Sequence, residues 1–348
     1  MRYHAPSLTK AFRFRMPSLL LICLALLFSA LNSHAAEITP FYTSNQSPIV
    51  QIFGLQPADN ARVVPGGHFS AQLGVGIATN FAIDDSGLEK ITLDGETYRT
   101  NLALRYGIGK RFEVGLDIPF IAESGGFLDA LVEGFHDTFG LGAGGRDKVP
   151  HNRLLFAYTG RDGVDRFNIN HANGGFGDIR LSGAFQLFGG DPAKTSAVAL
   201  RGSIKLPTGK SGELHGSGSA DFSLWLTAAR DFRFTSSHLT IYGALGGMGL
   251  TTGDVLPDQQ RNLVAFGTVG MGWSPLEWLA LKLQFDAHTP FYKNSSLHEL
   301  STSSFQTVWG FTFAFNKKTT LDISCSEDYI VNTTSPDFGT NLTLRTLF

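Results

Sequence analysis

The chain has 348 residues, of which 43% are hydrophobic and only 17% are charged, with 40 glycines and a formal net charge of −2. Ordinary soluble domains carry about 25% charged residues, so this surface is short of charge for a protein that meets water on every side. The nearly neutral net charge gives no reason to expect nucleic acid or an acidic polymer as a partner.

Residues 1–35 have the pattern of a secretory signal peptide. A basic head precedes the apolar run LLLICLALLFSAL, which is shorter than the roughly 20 residues that a membrane-spanning helix needs. Small residues at Ser33 and Ala35 suit a cleavage site, so we expect cleavage after Ala35 or Ala36. Cys23 leaves with this segment, and Cys325 then has no cysteine with which to form an internal disulfide.

Residues 36–67 are rich in proline and asparagine and contain apolar patches. Two interpretations of this segment stay open. It is either a periplasmic extension or a plug that enters the interior of the fold that follows.

A repeat of period two begins after this segment and is clearest in YRTNLALRYGIGKRFEVGLDIPF, from Tyr98 to Phe120. Apolar and polar side chains alternate on both sides of a short turn at Gly109 and Lys110. Because successive side chains of a strand point to opposite faces, this stretch predicts an antiparallel hairpin with one apolar and one charged face.

The same alternation recurs along the chain and gives about 12 strands, an even number as in single-chain bacterial barrels. Residues 238–250 and 262–273 have the least secure register, because glycine occupies both of their faces. The predicted strands are 69–77, 98–108, 112–120, 178–187, 198–206, 222–228, 238–250, 262–273, 277–289, 303–315, 319–329 and 337–348.

The connections alternate between short turns and longer loops, and the longer ones include 81–96 and 122–176. A closed sheet pairs every backbone polar group without water, as a lipid bilayer demands. Residues 68–348 are therefore predicted to form an all-β, transmembrane antiparallel β-barrel in the outer membrane of a Gram-negative bacterium. Its short turns would be periplasmic and its longer loops extracellular.

The inward faces of the earlier strands carry most of the charge, and the later strands are nearly neutral. One interpretation is a selectivity surface for anionic or polar solutes. The other is that these groups pair across strands and fill the interior, and a width of about 12 strands does not decide between the two. The predicted lumen residues are Arg99, Arg105, Arg111, Glu113, Asp117, Arg180, Arg201 and Lys205.

Within loop 122–176, Phe127, Leu131 and Phe135 recur at helical spacing and predict a short amphipathic helix. Long loops in compact folds are usually functional or disordered, and the apolar face of this one argues against disorder. We expect these residues, with His136, to constrict the mouth of the barrel; capping of the rim is the alternative.

An enzyme is the third alternative, because His215 and Ser217 form a His-x-Ser pair like that of outer-membrane lipid hydrolases. The orienting residue expected about a dozen residues further on is missing, since position 229 is Ala229. The histidine spacings match no zinc template. We therefore expect no enzyme, no metal and no cofactor.

The chain ends in FGTNLTLRTLF, with Leu342, Leu344 and the terminal Phe348 on one face. This ending resembles the signal by which outer-membrane proteins are handed to the barrel-assembly machinery, although Thr346 replaces the usual aromatic residue. The partners that we expect are this machinery, outer-membrane lipid and a small solute.

Several stretches together resemble an uncharacterised family of Gram-negative outer-membrane β-barrels, catalogued as a domain of unknown function. They are SPIVQIFGLQP, EGFHDTFGLGAGGRD, GGFGDIRLSGAFQL, KLPTGK and SEDYIVNTTSPDFGTNLTL. The resemblance implies a barrel but no substrate and no catalytic residues. A channel for small polar or anionic solutes is the leading hypothesis; the alternative is a closed barrel that binds a partner through its outer loops.

Overall fold

The computed structural model describes residues 37–128, 134, 149–191, 194–328 and 334–348. Among these residues, no helix is long and apolar enough to cross a membrane. The short helical elements are a 3₁₀ turn at Ser211–Glu213 and a single helical turn at His298–Ser301. The strands are β1 (Phe69–Asp85), β2 (Lys90–Ile108), β3 (Phe112–Ser124), β4 (Leu155–Thr159), β5 (Asp165–Ile169), β6 (Asn173–Phe176), β7 (Arg180–Phe188), β8 (Ser196–Lys205), β9 (Asp221–Arg233), β10 (His238–Leu250), β11 (Leu263–Leu276), β12 (Leu279–His288), β13 (Ser304–Ala314), β14 (Thr319–Asp328) and β15 (Phe338–Leu347).

Twelve of these strands close into an antiparallel barrel, which confirms the predicted fold and strand number. The order is β1, β2, β3 and then β7 to β15, and β15 pairs with β1 from Ser70↔Leu347 to Thr79↔Phe338. The short strands β4, β5 and β6 extend the sheet beyond the end of the barrel that carries the longer loops.

The two faces of the barrel wall follow the predicted alternation. Outward side chains such as Leu102, Val114 and Leu224 are exposed and apolar, whereas Asn101 and Asp117 are buried on the inner face. An apolar outer band suits hydrocarbon, and each of the twelve barrel strands is paired on both sides. The weakly patterned pair β10–β11 is also in the barrel, and Gly246 is needed there because a Cβ would lie 2.3 Å from the Cβ of Trp225.

The predicted loop 81–96 is wrong. β1 continues to Asp85 and β2 begins at Lys90, so only residues 86–89 form the turn. The alternation of apolar and polar residues fades here because this part of the sheet projects beyond the apolar band, where the outer face no longer has to be apolar. Within the predicted loop 122–176, the structure has the end of β3 and the strands β4, β5 and β6.

Candidate functional site

The interior of the barrel holds residues 37–65, which we call the lumen segment. This segment rises from the end of the barrel that carries the short turns, reverses direction at residues 47–53 and returns to enter β1. Backbone hydrogen bonds from Val50 and Gln51 to the carbonyl oxygen of Ser47 close the reversal. Asn60 donates to Glu37 at 3.1 Å, so the two limbs lie side by side near their ends.

Polar contacts attach the lumen segment to strands on opposite sides of the barrel. On the rising limb, Tyr42 donates to Asp117 of β3, and Thr43 donates to Asp286 of β12 at 3.1 Å. On the returning limb, the backbone N–H of Gly54 donates to Asp221 at 2.7 Å. A chain that bonds to strands around the whole circumference must occupy the lumen.

The reversal of the lumen segment is apolar, in contrast to its limbs. Ile49, Val50, Ile52 and Phe53 are at most 4% exposed and belong to a large buried cluster. Their neighbours come from β2, β4, β5 and the loops around residues 251–262 and 289–303. Burial of such side chains contributes about 1.5–3 kcal/mol each. Among the described residues, an apolar core therefore fills the extracellular end of the lumen.

We call the inward cations Arg99, Arg105, Arg180, Arg201 and Lys205 the arginine wall. All of them except Arg99 are paired with carboxylates among the described residues. Both carboxylate oxygens of Asp117 lie 3.1 Å from Nη2 of Arg105, and Nε of Arg180 lies 3.6 Å from the same group. Arg201 contacts Glu113 at 2.8 Å. Buried charges are tolerated when they are paired and hydrogen-bonded. Most charges of this wall are therefore compensated by a carboxylate.

The lumen segment takes part in this pairing. Asp59 lies 3.7 Å from Arg105 and 3.4 Å from Arg201, and the carbonyl oxygen of Asn60 accepts from Arg201 at 2.6 Å. Lys205 lies between Asp178, at 2.6 Å, and Asp221, at 3.1 Å. Lys205 and Arg180 also donate to the carbonyl oxygens of Ile52 and Leu55. With Arg105 and Arg201, four cations of the wall therefore contact the lumen segment directly.

Two of the predicted lumen residues have different surroundings. Arg111 is exposed in the turn that precedes β3. Arg99 faces the interior, but within the described part of the chain no carboxylate lies within ion-pair distance of it, and its Nη1 has no hydrogen-bond partner. Arg99 therefore differs from Arg105, Arg180 and Arg201, each of which has a carboxylate within ion-pair distance.

A wide vestibule opens where the lumen segment enters the barrel. Its volume is about 1120 Å³, and it is lined by both limbs and by residues of the short turns. Arg105, Glu113 and Arg201 form its inner end. Solutes on the periplasmic side thus have access to the ion pairs, whereas the apolar core lies beyond them.

The predicted loop constriction is only partly described. Phe127 is 63% exposed, and its backbone N–H donates to Glu96 at 2.7 Å. Leu131, Phe135 and His136 lie outside the described residues. The structure thus anchors the start of this loop at Glu96, and the constriction stays a prediction.

His215 and Ser217 lie close in sequence but contact different groups. Nε2 of His215 is 2.7 Å from Oδ1 of Asn173, while the Ser217 hydroxyl accepts from Lys205 and contacts Ser219. Nδ1 of His215 has no hydrogen-bond partner among the described residues. Burial lowers the pKa of His215, and the Glu213 carboxylate opposes this shift. The pair therefore lacks the hydrogen bond that activates a serine nucleophile.

The C-terminal residues lie at the seam of the barrel. Leu342, Leu344 and Phe348 are 50%, 44% and 61% exposed and face outward. The backbone N–H of Phe348 donates to the carbonyl oxygen of Phe69 at 2.7 Å, so the last residue closes the ring of strands. Their role in assembly stays a prediction.

The residues of the lumen segment that contact the barrel wall could not be predicted from the sequence. Tyr42, Gln46 and Asp59 are scattered through a stretch without periodicity, so no spacing relates them to the wall. One signal was present: the apolar run IVQIFGL is flanked by polar residues on both sides, as an apolar reversal between two polar limbs requires.

Comparisons with known proteins agree with this architecture. An outer-membrane channel from Pseudomonas putida F1 matches with a TM-score of 0.51 and 12% identity, covering 84% of this chain and 100% of that one. CdiB from Acinetobacter baumannii matches with a TM-score of 0.38 and 7% identity, covering 91% and 74%, which is too weak to carry an argument. No curated protein sequence matches at a significant level.

The first of these similarities concerns the fold, a closed antiparallel barrel with an apolar outer band. The protein is an outer-membrane β-barrel of a Gram-negative bacterium. A family model described as "Protein of unknown function (DUF3187)" matches residues 16–348, and the chain belongs to this family.

Proposed function

We propose that this protein is an outer-membrane channel for small polar solutes whose resting state is closed by the lumen segment. The observation that carries the proposal is the segment itself, which crosses a polar lumen and ends in an apolar reversal. The vestibule of about 1120 Å³ gives solutes access from the periplasmic side. Opening would require the reversal to leave its core.

The chemistry of the lumen favours a segment that can move. A permanently filled interior is best packed with apolar side chains, because every buried polar group needs a partner. Here the limbs meet the wall through hydrogen bonds and ion pairs that water can replace. Gln46 and Gln51 each keep an amide oxygen without a partner among the described residues.

The ion pairs also suggest which solutes would be preferred. Asp59 belongs to the lumen segment and faces Arg105 and Arg201. Withdrawal of the segment would remove this carboxylate and leave both guanidinium groups with fewer anionic neighbours. We therefore propose a preference for anionic over cationic solutes in the open state.

A disulfide that locks the reversal to the wall tests the proposal. A Cβ at Gly54 would lie 3.3 Å from the Cβ of Asp221, close to the 3.5–4.5 Å of natural disulfides. We would introduce Gly54→Cys and Asp221→Cys together with Cys325→Ser and record conductance in planar bilayers. The oxidised protein should be silent, and reduction should restore the steps seen with either single-cysteine variant.

Steps that persist in the oxidised protein, once the cross-link is verified by mass spectrometry, would show that solutes pass without movement of the segment. Silence of the unmodified protein at all voltages would favour the second candidate, a closed barrel that binds a partner through its outer loops. The extensive apolar core at the extracellular end supports this second candidate.

A further inference from the structure

A small cavity lies between the lumen segment and the wall and is separate from the vestibule, although Tyr42 lines both. Its volume is about 30 Å³, more than the ~10–15 Å³ that one water molecule needs. The lumen segment contributes Tyr42, Ser44, Gln46 and Pro57, and the wall contributes residues of β1, β2, β7 and β15. Anything bound here would touch both parts of the molecule.

The lining of this cavity is cationic. It contains the guanidinium groups of Arg99 and Arg180 and no aspartate or glutamate. Asp117, which lies 3.6 Å from Nε of Arg180, is shared with Arg105 and Tyr42 and does not line the cavity. Two positive charges thus face a space that holds no negative side chain.

Several polar atoms at the cavity have no hydrogen-bond partner among the described residues. They are Nη1 of Arg99, Nε of Arg180, both amide atoms of Asn101 and Oε1 of Gln46. Asn101, Arg180 and Gln46 are 8%, 7% and 4% exposed, so bulk water does not solvate them freely. Buried polar atoms of this kind are normally satisfied, and here most of them are donors.

Glycine residues on β1 create the room. Gly74 and Gly76 line the cavity and are the cross-strand partners of Asn101 and Arg99. A Cβ at Gly76 would lie 2.5 Å from Oδ1 of Asn341 and 2.6 Å from Nε2 of Gln46. The wall is therefore shaped to let these amides approach.

We propose that this cavity binds one small anion of the size of chloride, held by Arg99, Arg180 and the amide group of Asn101. Charge-assisted hydrogen bonds from guanidinium groups are the strong interactions available there. The anion would join the lumen segment to the wall. This site does not depend on whether the barrel conducts.

The direct test is a crystal of the unmodified protein grown or soaked in bromide, with data collected at the bromine absorption edge. An anomalous peak in the cavity, in contact with Arg99 and Asn101, is the expected result. A peak absent from the cavity at high bromide concentration, with water in its place, would overturn the proposal.

A solution test uses the thermal unfolding midpoint of the folded protein in detergent. Chloride should raise the midpoint saturably relative to gluconate at equal ionic strength, because a ligand that binds only the folded state stabilises it. Arg99→Gln should abolish this response, whereas Arg166→Gln, at an exposed residue paired with Asp162, should keep it. A response of equal size in both variants would indicate a general salt effect and contradict the site. If Arg99→Gln does not fold, the bromide crystal decides.

Discussion

The ring of Phe53 lies parallel to the ring of Phe291, with the centroids 4.6 Å apart and an interplanar angle of 6°. Phe53 belongs to the lumen segment and Phe291 to the loop after β12. Tyr292, the next residue, donates its hydroxyl hydrogen to the carbonyl oxygen of Ile49 at 2.8 Å. One extracellular loop therefore holds the reversal of the lumen segment by stacking and by a hydrogen bond.

Replacement of Phe53 by alanine should loosen the closed state. Large-to-small changes of this kind cost about 3–5 kcal/mol when the site cannot collapse. Because only the segment needs to leave, we expect more frequent conductance steps, and faster proteolysis within residues 47–56, while the barrel stays folded. Phe305→Ala, an outward residue that is 52% exposed, is the matched control. Equal frequencies of conductance steps in both variants would show that the Phe53 contact does not keep the channel closed.

Arg201 and Glu113 form a buried pair, each with a side chain that is 4% exposed. Arg201→Met or Glu113→Gln alone should destabilise the protein, by at most about 3–5 kcal/mol, because each removes the nearest partner of a buried charge. Asp59 still faces Arg201 and Arg105 still faces Glu113, so the remaining charge is partly compensated. The double variant should cost clearly less than the sum of the single costs. Urea unfolding in detergent, followed by tryptophan fluorescence, measures this. Additive costs would mean that Asp59 and Asn60, rather than Glu113, carry the stabilisation of Arg201.

The barrel strands could be predicted from the sequence wherever contact with lipid requires the outward side chains to be apolar. Between Leu102 and Ile108 and between Phe112 and Phe120 the outward positions meet hydrocarbon, so apolar and polar side chains must alternate and the strands are evident. From Thr92 to Thr97 the outer face no longer meets lipid, and every residue of this stretch is buried whether it is polar or apolar. The alternation is lost there, and the extension of β1 and β2 could not be predicted.

Only the wall residues of the candidate site could be predicted from the sequence, and not their partners on the lumen segment. Inward charges on β2, β3, β7 and β8 follow from strand periodicity once the outward face is known. Their partners do not, because Tyr42 lies 75 residues from Asp117 in the chain and belongs to a stretch without regular structure. Long-range pairing depends on the path of the lumen segment, which no local pattern encodes.

Stability of the extracellular loop 289–303 should depend on pH through Glu299. Burial and, to a smaller extent, the neighbouring Asp84 raise the pKa of Glu299 from its ordinary value of 4.5 to about 7. Between these two values the folded loop binds the proton more tightly than the unfolded loop does, so the free energy of local unfolding falls as the pH rises. The stabilisation is fully present below 4.5 and is lost as the pH passes through about 7.

Amide hydrogen exchange of residues 295–301, corrected for intrinsic rates, should therefore show more protection at about pH 5 than at about pH 8. Glu299→Gln should make protection independent of pH, because an uncharged amide replaces the titrating group. Glu277→Gln, in a periplasmic turn, serves as the control. The same pH dependence in Glu299→Gln as in the unmodified protein would show that Glu299 is not the group that controls the stability of this loop.

The terminal Phe348 should matter more for the rate of assembly than for the stability of the assembled barrel. Its side chain is 61% exposed, and its ring lies 6.0 Å from that of Phe69 across the seam. Phe348→Ala keeps the backbone hydrogen bond to Phe69 and removes a largely lipid-facing ring, so stability should change by about 1 kcal/mol or less. If the barrel-assembly machinery recognises the Phe348 ring, Phe348→Ala should fold several-fold more slowly into vesicles that contain this machinery. Its rate of folding into detergent should not change. Leu263→Ala, an outward residue at the extracellular rim, controls for lost apolar area. Equal slowing in vesicles and in detergent would assign Phe348 to seam closure instead of recognition.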